Sequence, residues 1–492
     1  MYYISTRGGS EKKTSARVIK QGLAEDGGLF VPESIPTVSK DFIKKLAEED
    51  YAHRAADVLS LYLTDYTYDE LLSAATDAYK EESFGKYAAP VKSLDKTHKV
   101  LELWHGPTCA FKDMALQIMP RLLSTALKKT GEKRTALILV ATSGDTGKAA
   151  LEGYKDVDGV KIMVFYPEDG VSDIQKLQMA SQEGENVNVC AIKGNFDDAQ
   201  TGVKQIFSDT NIAKELDEKG YFLSSANSIN WGRLAPQIVY YFSAYCDLMN
   251  AGDITLGDEI DVCVPTGNFG NIFAAYLAKK MGLPVRRFIC ASNVNNVLKD
   301  FINTGIYDRN RQFHTTISPS MDILISSNLE RLLWLIQGEE KTAECMKLLK
   351  ETGKYEVSAE VREKIASEFI GCFASDDETK QTIAETFEKH SYLIDTHTAV
   401  ALFAAKKNAT DIPVVTASTA SPYKFAADVL SALTGNRDNG NDFFRILREL
   451  NAKTGAAVPR PLAALENKTR RFTTSVGKSK DEMFAEVAKF AD

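Results

Sequence analysis

Short β-rich runs alternate with helical stretches through the middle of the chain, and this alternation constrains the fold more than any other feature. Each run is apolar, rich in β-branched residues and followed by a stretch with helical spacing. The runs lie at 136–141, 161–166, 187–192, 260–264, 285–291 and 412–416. Strands that alternate with crossover helices predict an α/β fold with parallel sheet covered by helices. Ligands then bind at the carboxyl ends of the strands.

The chain has 492 residues, which is too long for one core, so two or three domains are expected. Residues 1–95 are predicted to form a mainly helical N-terminal domain. Residues 96–255 would form a first α/β domain and residues 256–492 a second one. The charged stretch at about 320–390 is predicted to be a helical insertion in the second α/β domain.

Charge and composition exclude several classes of function. With 59 Lys+Arg against 67 Asp+Glu, the net charge of −8 argues against binding nucleic acid or anionic membranes. No apolar run approaches the roughly 20 residues that a bilayer requires. The seven cysteines are scattered without a C-x-x-C pair, which predicts reduced thiols in a cytoplasmic protein. Neither cysteines nor histidines show metal-ligand spacing, so no metal site is expected.

Three loops follow predicted strands and precede helices, where the fold would place ligands. They are 142–147 (T-S-G-D-T-G), 265–271 (P-T-G-N-F-G-N) and 417–422 (A-S-T-A-S-P). Small residues let the backbone approach a ligand, and the following helix offers unpaired N–H groups to an anion. The two glycine-bearing loops suggest two anionic groups in one cleft. The first loop lacks the Walker A pattern and the second lacks G-x-G-x-x-G. Each loop could equally be a simple turn.

Lys112 begins an apolar helix, where a cation is unusual because the positive end of the helix dipole lies there. One interpretation leaves its amine solvated or paired with Asp113. The other has the amine form a Schiff base with pyridoxal phosphate, whose phosphate then needs a loop such as 267–271.

Together these motifs resemble the pyridoxal-phosphate enzymes of the tryptophan synthase β-like fold, also called fold type II. Within that group they are most similar to the threonine synthase family, in its longer, monomeric-type branch. The matching motifs occur in family order at 22–32 (G-L-A-x-D-G-G-L-x-V-P), 105–113 (H-G-P-T-x-x-F-K-D), 142–147, 225–233 (S-A-N-S-I-N-W-G-R), 265–270 and 419–425 (T-A-x-P-x-K-F).

The resemblance implies two open, largely parallel sheets and a lyase reaction in threonine biosynthesis. O-phospho-L-homoserine would lose phosphate by γ-elimination and take up water at Cβ to give L-threonine. The cofactor would be pyridoxal 5'-phosphate, and the protein would be a monomer, with a weak dimer as the alternative.

The family motifs also assign residue roles. Lys112 would be the Schiff-base lysine and the acid/base group. The cofactor phosphate would be bound by Gly267, Asn268, Phe269, Gly270 and Asn271. Thr419, flanked by Ser418 and Ser421, would meet the pyridine nitrogen.

The substrate would be bound by a further set of residues. The loop members Thr142, Ser143, Gly144, Asp145 and Thr146 would receive the α-carboxylate. Asn230 and Arg233 would bind the γ-phosphate, with Lys424 as a second candidate cation. Arg233 could instead pair with a carboxylate. Asp145 is awkward in an anion site and could cap the helix, or face the substrate ammonium or a cofactor hydroxyl.

Three other functions compete with this interpretation. A phospho-lyase of the same fold would give 2-oxobutyrate from the same pocket. A serine/threonine dehydratase is disfavoured by the phosphate-directed motif at 225–233. A non-catalytic descendant that binds phosphate ligands is disfavoured by the presence of Lys112.

Overall fold

The computed structural model describes residues 1–142, 144–168, 171–436 and 442–492. Its strands are β1 (Tyr3–Ser5), β2 (Phe30–Pro32), β3 (Val91–Ser93), β4 (His98–Glu102), β5 (Thr135–Ala141), β6 (Val160–Pro167), β7 (Val187–Ile192), β8 (Tyr221–Ser224), β9 (Ile260–Pro265), β10 (Val285–Ser292), β11 (Ile306–Asp308), β12 (Lys354–Glu356), β13 (Phe369–Phe373), β14 (Val414–Ser418) and β15 (Ser475–Val476).

The helices of the N-terminal half are α1 (Ser15–Gln21), α2 (Lys40–Ala47), α3 (Tyr51–Ser60), α4 (Tyr68–Ala78), α5 (Glu81–Phe84), α6 (Asp113–Leu116), α7 (Met119–Lys129), α8 (Asp145–Tyr154), α9 (Asp173–Ala180), α10 (Phe196–Ser208), α11 (Thr210–Glu218), α12 (Trp231–Leu234) and α13 (Pro236–Asn250). Those of the C-terminal half are α14 (Gly270–Met281), α15 (Val297–Thr304), α16 (Leu329–Gln337), α17 (Glu339–Thr352), α18 (Ala359–Glu368), α19 (Asp376–His390), α20 (Thr396–Lys407), α21 (Ala426–Thr434), α22 (Phe443–Thr454), α23 (Arg460–Ala463) and α24 (Lys480–Ala491). Single 3₁₀ turns lie at Pro319–Met321, Pro422–Phe425 and Ala464–Asn467.

Two open sheets covered by helices confirm the predicted α/β fold. The larger sheet has six strands in the order β13-β10-β9-β14-β4-β3, parallel except for β3. The smaller has five parallel strands in the order β15-β7-β6-β5-β8. Every residue of the central strands β9 and β14 is buried, as expected for parallel strands with helices on both faces.

The strands β5, β9 and β14 end at the three predicted ligand loops. The first two loops lead directly into helices, α8 and α14, and the third leads into a 3₁₀ turn and then α21. Because β9 and β14 are neighbours in the larger sheet, their carboxyl ends bring the second and third loops together at one edge.

The predicted helical insertion differs from the structure in one respect. It contains helices α16 to α19, but also β13, which pairs in parallel with β10 at the edge of the larger sheet. The run Phe369–Phe373 follows α18 without a break, so its short β-rich pattern is hidden by the helical spacing before it. The stretch also contains β12, which forms a small antiparallel pair with β11.

Sheet membership crosses the predicted domain limits, which remain a prediction. β4 falls within the predicted first α/β domain but joins the larger sheet, and β15 near the C-terminus joins the smaller one. The segment before β3 is mainly helical apart from the β1–β2 pair, as predicted. Within the described residues, no helix combines the length and apolar character needed to cross a bilayer.

Candidate active site

Lys112 lies immediately before α6, between the carboxyl ends of the two sheets. Its side chain is half-buried, and its Nζ lies 4.8 Å from the centre of the Phe111 ring. Within the described residues this amine makes no hydrogen bond or ion pair. Burial lowers the pKa of Lys112 to about 8; the charges of Arg233 and Lys424 act in the same direction and that of Asp145 opposes them. A larger fraction of this amine is therefore neutral at physiological pH than for an ordinary lysine.

Asp113 anchors the loop before Lys112 and does not pair with the lysine. It is buried and accepts hydrogen bonds from Thr108 N at 2.8 Å and Thr108 Oγ1 at 2.7 Å. Burial raises the pKa of Asp113 to about 6, although the bonds from Thr108 oppose the shift. A Cβ at Gly106 would lie 2.6 Å from the Cβ of Asp113, so this close approach requires glycine.

Thr419 lies beside the Lys112 loop, because Phe111 N donates to Thr419 O at 2.8 Å. The hydroxyl oxygens of the neighbouring Ser418 and Ser421 accept hydrogen bonds from nearby groups of the protein. Ser418 Oγ accepts from Trp104 Nε1 at 3.0 Å, and Ser421 Oγ accepts from a backbone N–H at 3.3 Å. The Thr419 hydroxyl makes no hydrogen bond to the described part of the chain. Among these three hydroxyls, that of Thr419 differs in making no hydrogen bond to the described residues, and its assignment as a ligand stays a prediction.

The loop Gly267–Asn271 has the backbone shape of an anion site. Phe269 adopts the left-handed region with φ of 63°, and α14 begins at the next residue. A Cβ at Gly267 would lie 2.9 Å from Ser320 O, so a larger residue would push the loop off its support. The first backbone N–H groups of α14 have no partner within the helix and can bind an anion.

The segment before α16, which lies in the predicted insertion, makes hydrogen bonds to the backbone of this loop. Ser326 Oγ donates to Gly267 O at 2.7 Å, and Asn328 N donates to Asn268 O at 3.0 Å. The same segment is fixed by the buried His397, whose Nε2 accepts from a backbone N–H, that of Ser320, at 3.1 Å.

Two amide nitrogens at the loop lack partners. Asn271 Oδ1 accepts from the hydroxyls of Tyr240 and Tyr241 at 2.5 and 2.6 Å, which leaves its Nδ2 buried and unpaired in the described part of the chain. The Nδ2 of Asn328 is likewise buried and unpaired there. Buried donors without acceptors are costly, so both atoms indicate a missing acceptor such as a phosphate oxygen.

The loop at 142–147 places the N-terminus of α8 at the cleft. Thr142 Oγ1 accepts from Gly144 N at 3.0 Å and from Gly147 N at 2.9 Å, so this hydroxyl shapes the loop. Thr146 is half-buried, and Gly144 has a φ of 142°. Ser143, a predicted substrate residue, lies outside the described residues.

Asp145 forms a buried ion pair with Lys424. The carboxylate lies 2.8 Å from Lys424 Nζ and accepts from Gln175 Nε2 at 2.9 Å. Burial alone would raise the pKa of Asp145, but the charges of Lys424 and Lys112 hold it well below its usual range. Lys424 therefore neutralises the negative charge of Asp145 within the protein.

Arg233 is buried, yet it forms no ion pair with a carboxylate of the described residues, so its alternative role as a carboxylate partner is wrong. Its Nη1 donates to Ala226 O at 2.7 Å, while Nε and Nη2 have no hydrogen-bond acceptor in the described part of the chain. Burial lowers the pKa of Arg233 to about 10. A buried guanidinium without a counterion favours an anionic ligand.

Asn230 makes hydrogen bonds within the protein, and its predicted role as a substrate ligand stays a prediction. It is fully buried, and its Nδ2 donates to Ile19 O at 2.9 Å and to Ser225 O at 3.4 Å. Its Oδ1 accepts from Gly232 N at 2.9 Å and caps α12. Its backbone carbonyl also accepts from Arg233 N at 3.0 Å, so Asn230 helps to fix the turn that carries Arg233.

Arg331, which the sequence did not single out, holds the segment 225–233 in place. Its Nε donates to Phe30 O at 3.0 Å and its Nη2 to Ile229 O at 2.6 Å. Burial lowers the pKa of Arg331 to about 9. Its only sequence signal is a cation within the apolar spacing of α16, which is too weak to identify it.

The residues fit pyridoxal phosphate on their own geometry. The half-buried amine of Lys112, the hydroxyl of Thr419 and an anion loop with unpaired amide donors all lie at one edge of the larger sheet. In accord with this, the family model described as pyridoxal-phosphate dependent enzyme matches residues 100–415.

Further comparisons place the chain within that class. Models of the threonine synthase N terminus and C-terminal region match residues 2–79 and 398–484. Threonine synthase of Pseudomonas aeruginosa is 40% identical over 443 residues, covering 88% of this chain and 91% of that protein. The chain belongs to the threonine synthase family.

Solved structures agree with this assignment. A structure described as PLP-bound threonine synthase from Brucella melitensis has a TM-score of 0.89 and 35% identity, covering 100% of this chain and 99% of the other. Yeast threonine synthase has a TM-score of 0.88 and 32% identity, covering 99% and 98%. Human threonine synthase-like 1 is 42% identical over 452 residues and 88% of this chain, but the chain spans 60% of the length of that relative.

Proposed function

We propose that the protein is a threonine synthase that converts O-phospho-L-homoserine and water to L-threonine and phosphate. The observation that carries this proposal is the buried Arg233, which has no carboxylate partner among the described residues. Its charge lowers the pKa of Lys112, so the two side chains belong to one site. A substrate with a phosphate at its far end would supply the missing anion. The family membership and the likeness to threonine synthases support the same reaction.

Lys112 would hold the cofactor and move the protons. When bound, pyridoxal phosphate supplies an electron sink that acidifies C–H bonds next to the substrate amino group. An amine with a pKa near 8 can both take a proton from carbon and return one at neutral pH, as an acid/base group requires. Residues Gly267–Asn271 would hold the cofactor phosphate, and the free hydroxyl of Thr419 would meet the pyridine nitrogen.

The substrate would lie between two positive ends. The N-terminus of α8, at Gly144, Asp145 and Thr146, offers backbone N–H groups to the α-carboxylate. The guanidinium of Arg233 offers a fork of donors to the phosphate. Since Lys424 cancels the charge of Asp145, neither anion of the substrate meets an unpaired carboxylate there.

The test is to incubate the purified holoenzyme with O-phospho-L-homoserine and to measure phosphate together with the carbon product. Threonine formed in step with phosphate supports the proposal. Phosphate with 2-oxobutyrate would make the protein a phospho-lyase, and no phosphate at all would refute the substrate. Lys112→Ala should abolish turnover, whereas Lys193→Ala, a change at an exposed lysine, should leave it unaltered.

Two further properties belong to the proposal. All seven cysteines are buried free thiols, which supports a reducing, cytoplasmic location. The protein is proposed to act as a monomer, and sedimentation equilibrium would distinguish this from a weak dimer.

A further inference from the structure

Asn328 lies directly under the cofactor-phosphate loop. It is fully buried at the start of α16, and its backbone N–H donates to Asn268 O at 3.0 Å. A Cβ added at Gly270 would lie 3.3 Å from Asn328 Nδ2. The amide nitrogen therefore lies against the first residue of α14, where the helix offers its unpaired N–H groups.

The orientation of this amide is set by Arg331. Arg331 Nη1 donates to Asn328 Oδ1, and a guanidinium can only donate hydrogen bonds. The oxygen must face Arg331, so the nitrogen faces the loop. Arg331 is itself fixed by carbonyl groups of Phe30 and Ile229 and forms no ion pair with a carboxylate of the described residues.

The same arrangement recurs within the loop. Asn271 has its oxygen held by two tyrosine hydroxyls, and its nitrogen is buried and unpaired among the described residues. Two amides from different parts of the chain, both next to the loop, thus each keep a buried donor without an acceptor among the described residues. This pattern suits a group that only accepts, such as a phosphate dianion.

We propose that Asn328 Nδ2 donates a hydrogen bond to the phosphate of pyridoxal phosphate, and that Arg331 is the positioning residue that aims it. This inference rests on the proposed cofactor. Arg331 also donates to the carbonyl of Ile229, so one side chain contacts both the segment 225–233 and, through Asn328, the loop 267–271.

Asn328→Asp tests the donor because it preserves shape and gives Arg331 a carboxylate partner. The apoenzyme variant should keep its melting temperature or gain in it. Its affinity for pyridoxal phosphate should fall by about 10- to 100-fold, as expected when a charge-assisted bond is replaced by repulsion. Its affinity for pyridoxal, which lacks the phosphate, should change by less than about threefold.

Titration of apoenzymes with both ligands decides the matter. A control variant, Asn250→Asp, adds the same charge at an exposed amide and should alter neither affinity. Asn328→Leu, which removes the donor without adding charge, provides the same comparison should the Asp variant fold poorly. Equal loss for both ligands, or no loss for pyridoxal phosphate, would overturn the inference.

Arg331 is tested by the same ratio of affinities. Arg331→Met frees the amide to turn and should reduce the preference for the phosphorylated ligand, whereas Arg331→Lys keeps a donor to Asn328 and should restore it. An unchanged ratio in Arg331→Met would remove its positioning role. Wild-type protein that fails to bind pyridoxal phosphate would instead refute the proposed function.

Discussion

The buried pair of Asp145 and Lys424 allows a quantitative prediction about both stability and the catalytic amine. The side chains of the two residues are 4% and 0% exposed, and their charged atoms lie 2.8 Å apart. Lys424→Met would leave Asp145 as an uncompensated buried charge, which costs about 3–5 kcal/mol of unfolding free energy. Asp145→Asn would remove the counter-charge of Lys424 and leave it with neutral acceptors such as the oxygens of Thr108 and Gln178.

The double variant should lose less stability than Lys424→Met alone, because it buries no unpaired charge. Urea unfolding of the four proteins measures this coupling. The exposed pair Lys364–Glu360 provides a matched control, and Lys364→Met should cost no more than about 0.5 kcal/mol. The ionised form of Asp145 has a lowered pKa in the folded state, so its stabilisation is present above about pH 4 and is lost as the pH falls further.

The same variants should move the pKa of Lys112 in opposite directions. Lys424 lowers this pKa and Asp145 raises it, so Lys424→Met should raise the pKa above its value of about 8 and Asp145→Asn should lower it. NMR of reductively ¹³C-methylated lysines in the apoenzyme reports the titration directly. A pKa that stays constant, or that shifts in the same direction in both variants, would show that these charges do not act on Lys112.

Three further changes test other parts of the site. Arg233→Met should reduce kcat/KM for O-phospho-L-homoserine by about 10- to 100-fold. The protein should become no less stable, since a buried charge without a counterion is removed. An unchanged kcat/KM would refute the phosphate contact. Burial raises the pKa of Asp113 to about 6, so the native protein loses stability as the pH rises from about 4 to 6. Asp113→Asn should therefore flatten the pH dependence of the melting temperature in that range. A wild-type curve without that slope would contradict the raised pKa. His397→Leu removes the acceptor of Ser320 N and the contact of Nδ1 with the buried Asp395. His397→Gln also loses the Asp395 contact but can still accept from Ser320 N, so it should cost about 1–3 kcal/mol less. Equal losses in thermal unfolding would exclude the Ser320 bond as a contributor.

Local patterns predicted the parts of the site that depend on neighbouring residues in the chain. The sequence located the strands before each loop and the helix start at Lys112, because each depends on neighbouring residues. The role of Thr419 stays a prediction. Residues 369–373 were missed as a strand, since pairing with β10 and not local spacing makes them one. The strand β4 was missed for the same reason.

Contacts between distant segments could not be predicted. Asn230 has the right chemistry for phosphate, but its amide is taken by the carbonyl of Ile19, more than two hundred positions away. The role of Asp145 depends on its pairing with Lys424, and that of Arg331 on the distant backbone carbonyls of Phe30 and Ile229. In each case the deciding partner is fixed by tertiary packing, which one-dimensional spacing does not encode.

The exchange of strands between the two sheets has a consequence for how the chain folds. β4, near residue 100, pairs with β14, beyond residue 410, and β7 receives its last neighbour from β15 at residues 475–476. Neither sheet can be completed from a contiguous stretch of chain, so both must wait for segments that leave the ribosome last. Nascent β7 has an open edge throughout most of synthesis, and expression of the predicted domains as separate fragments should give aggregation-prone products.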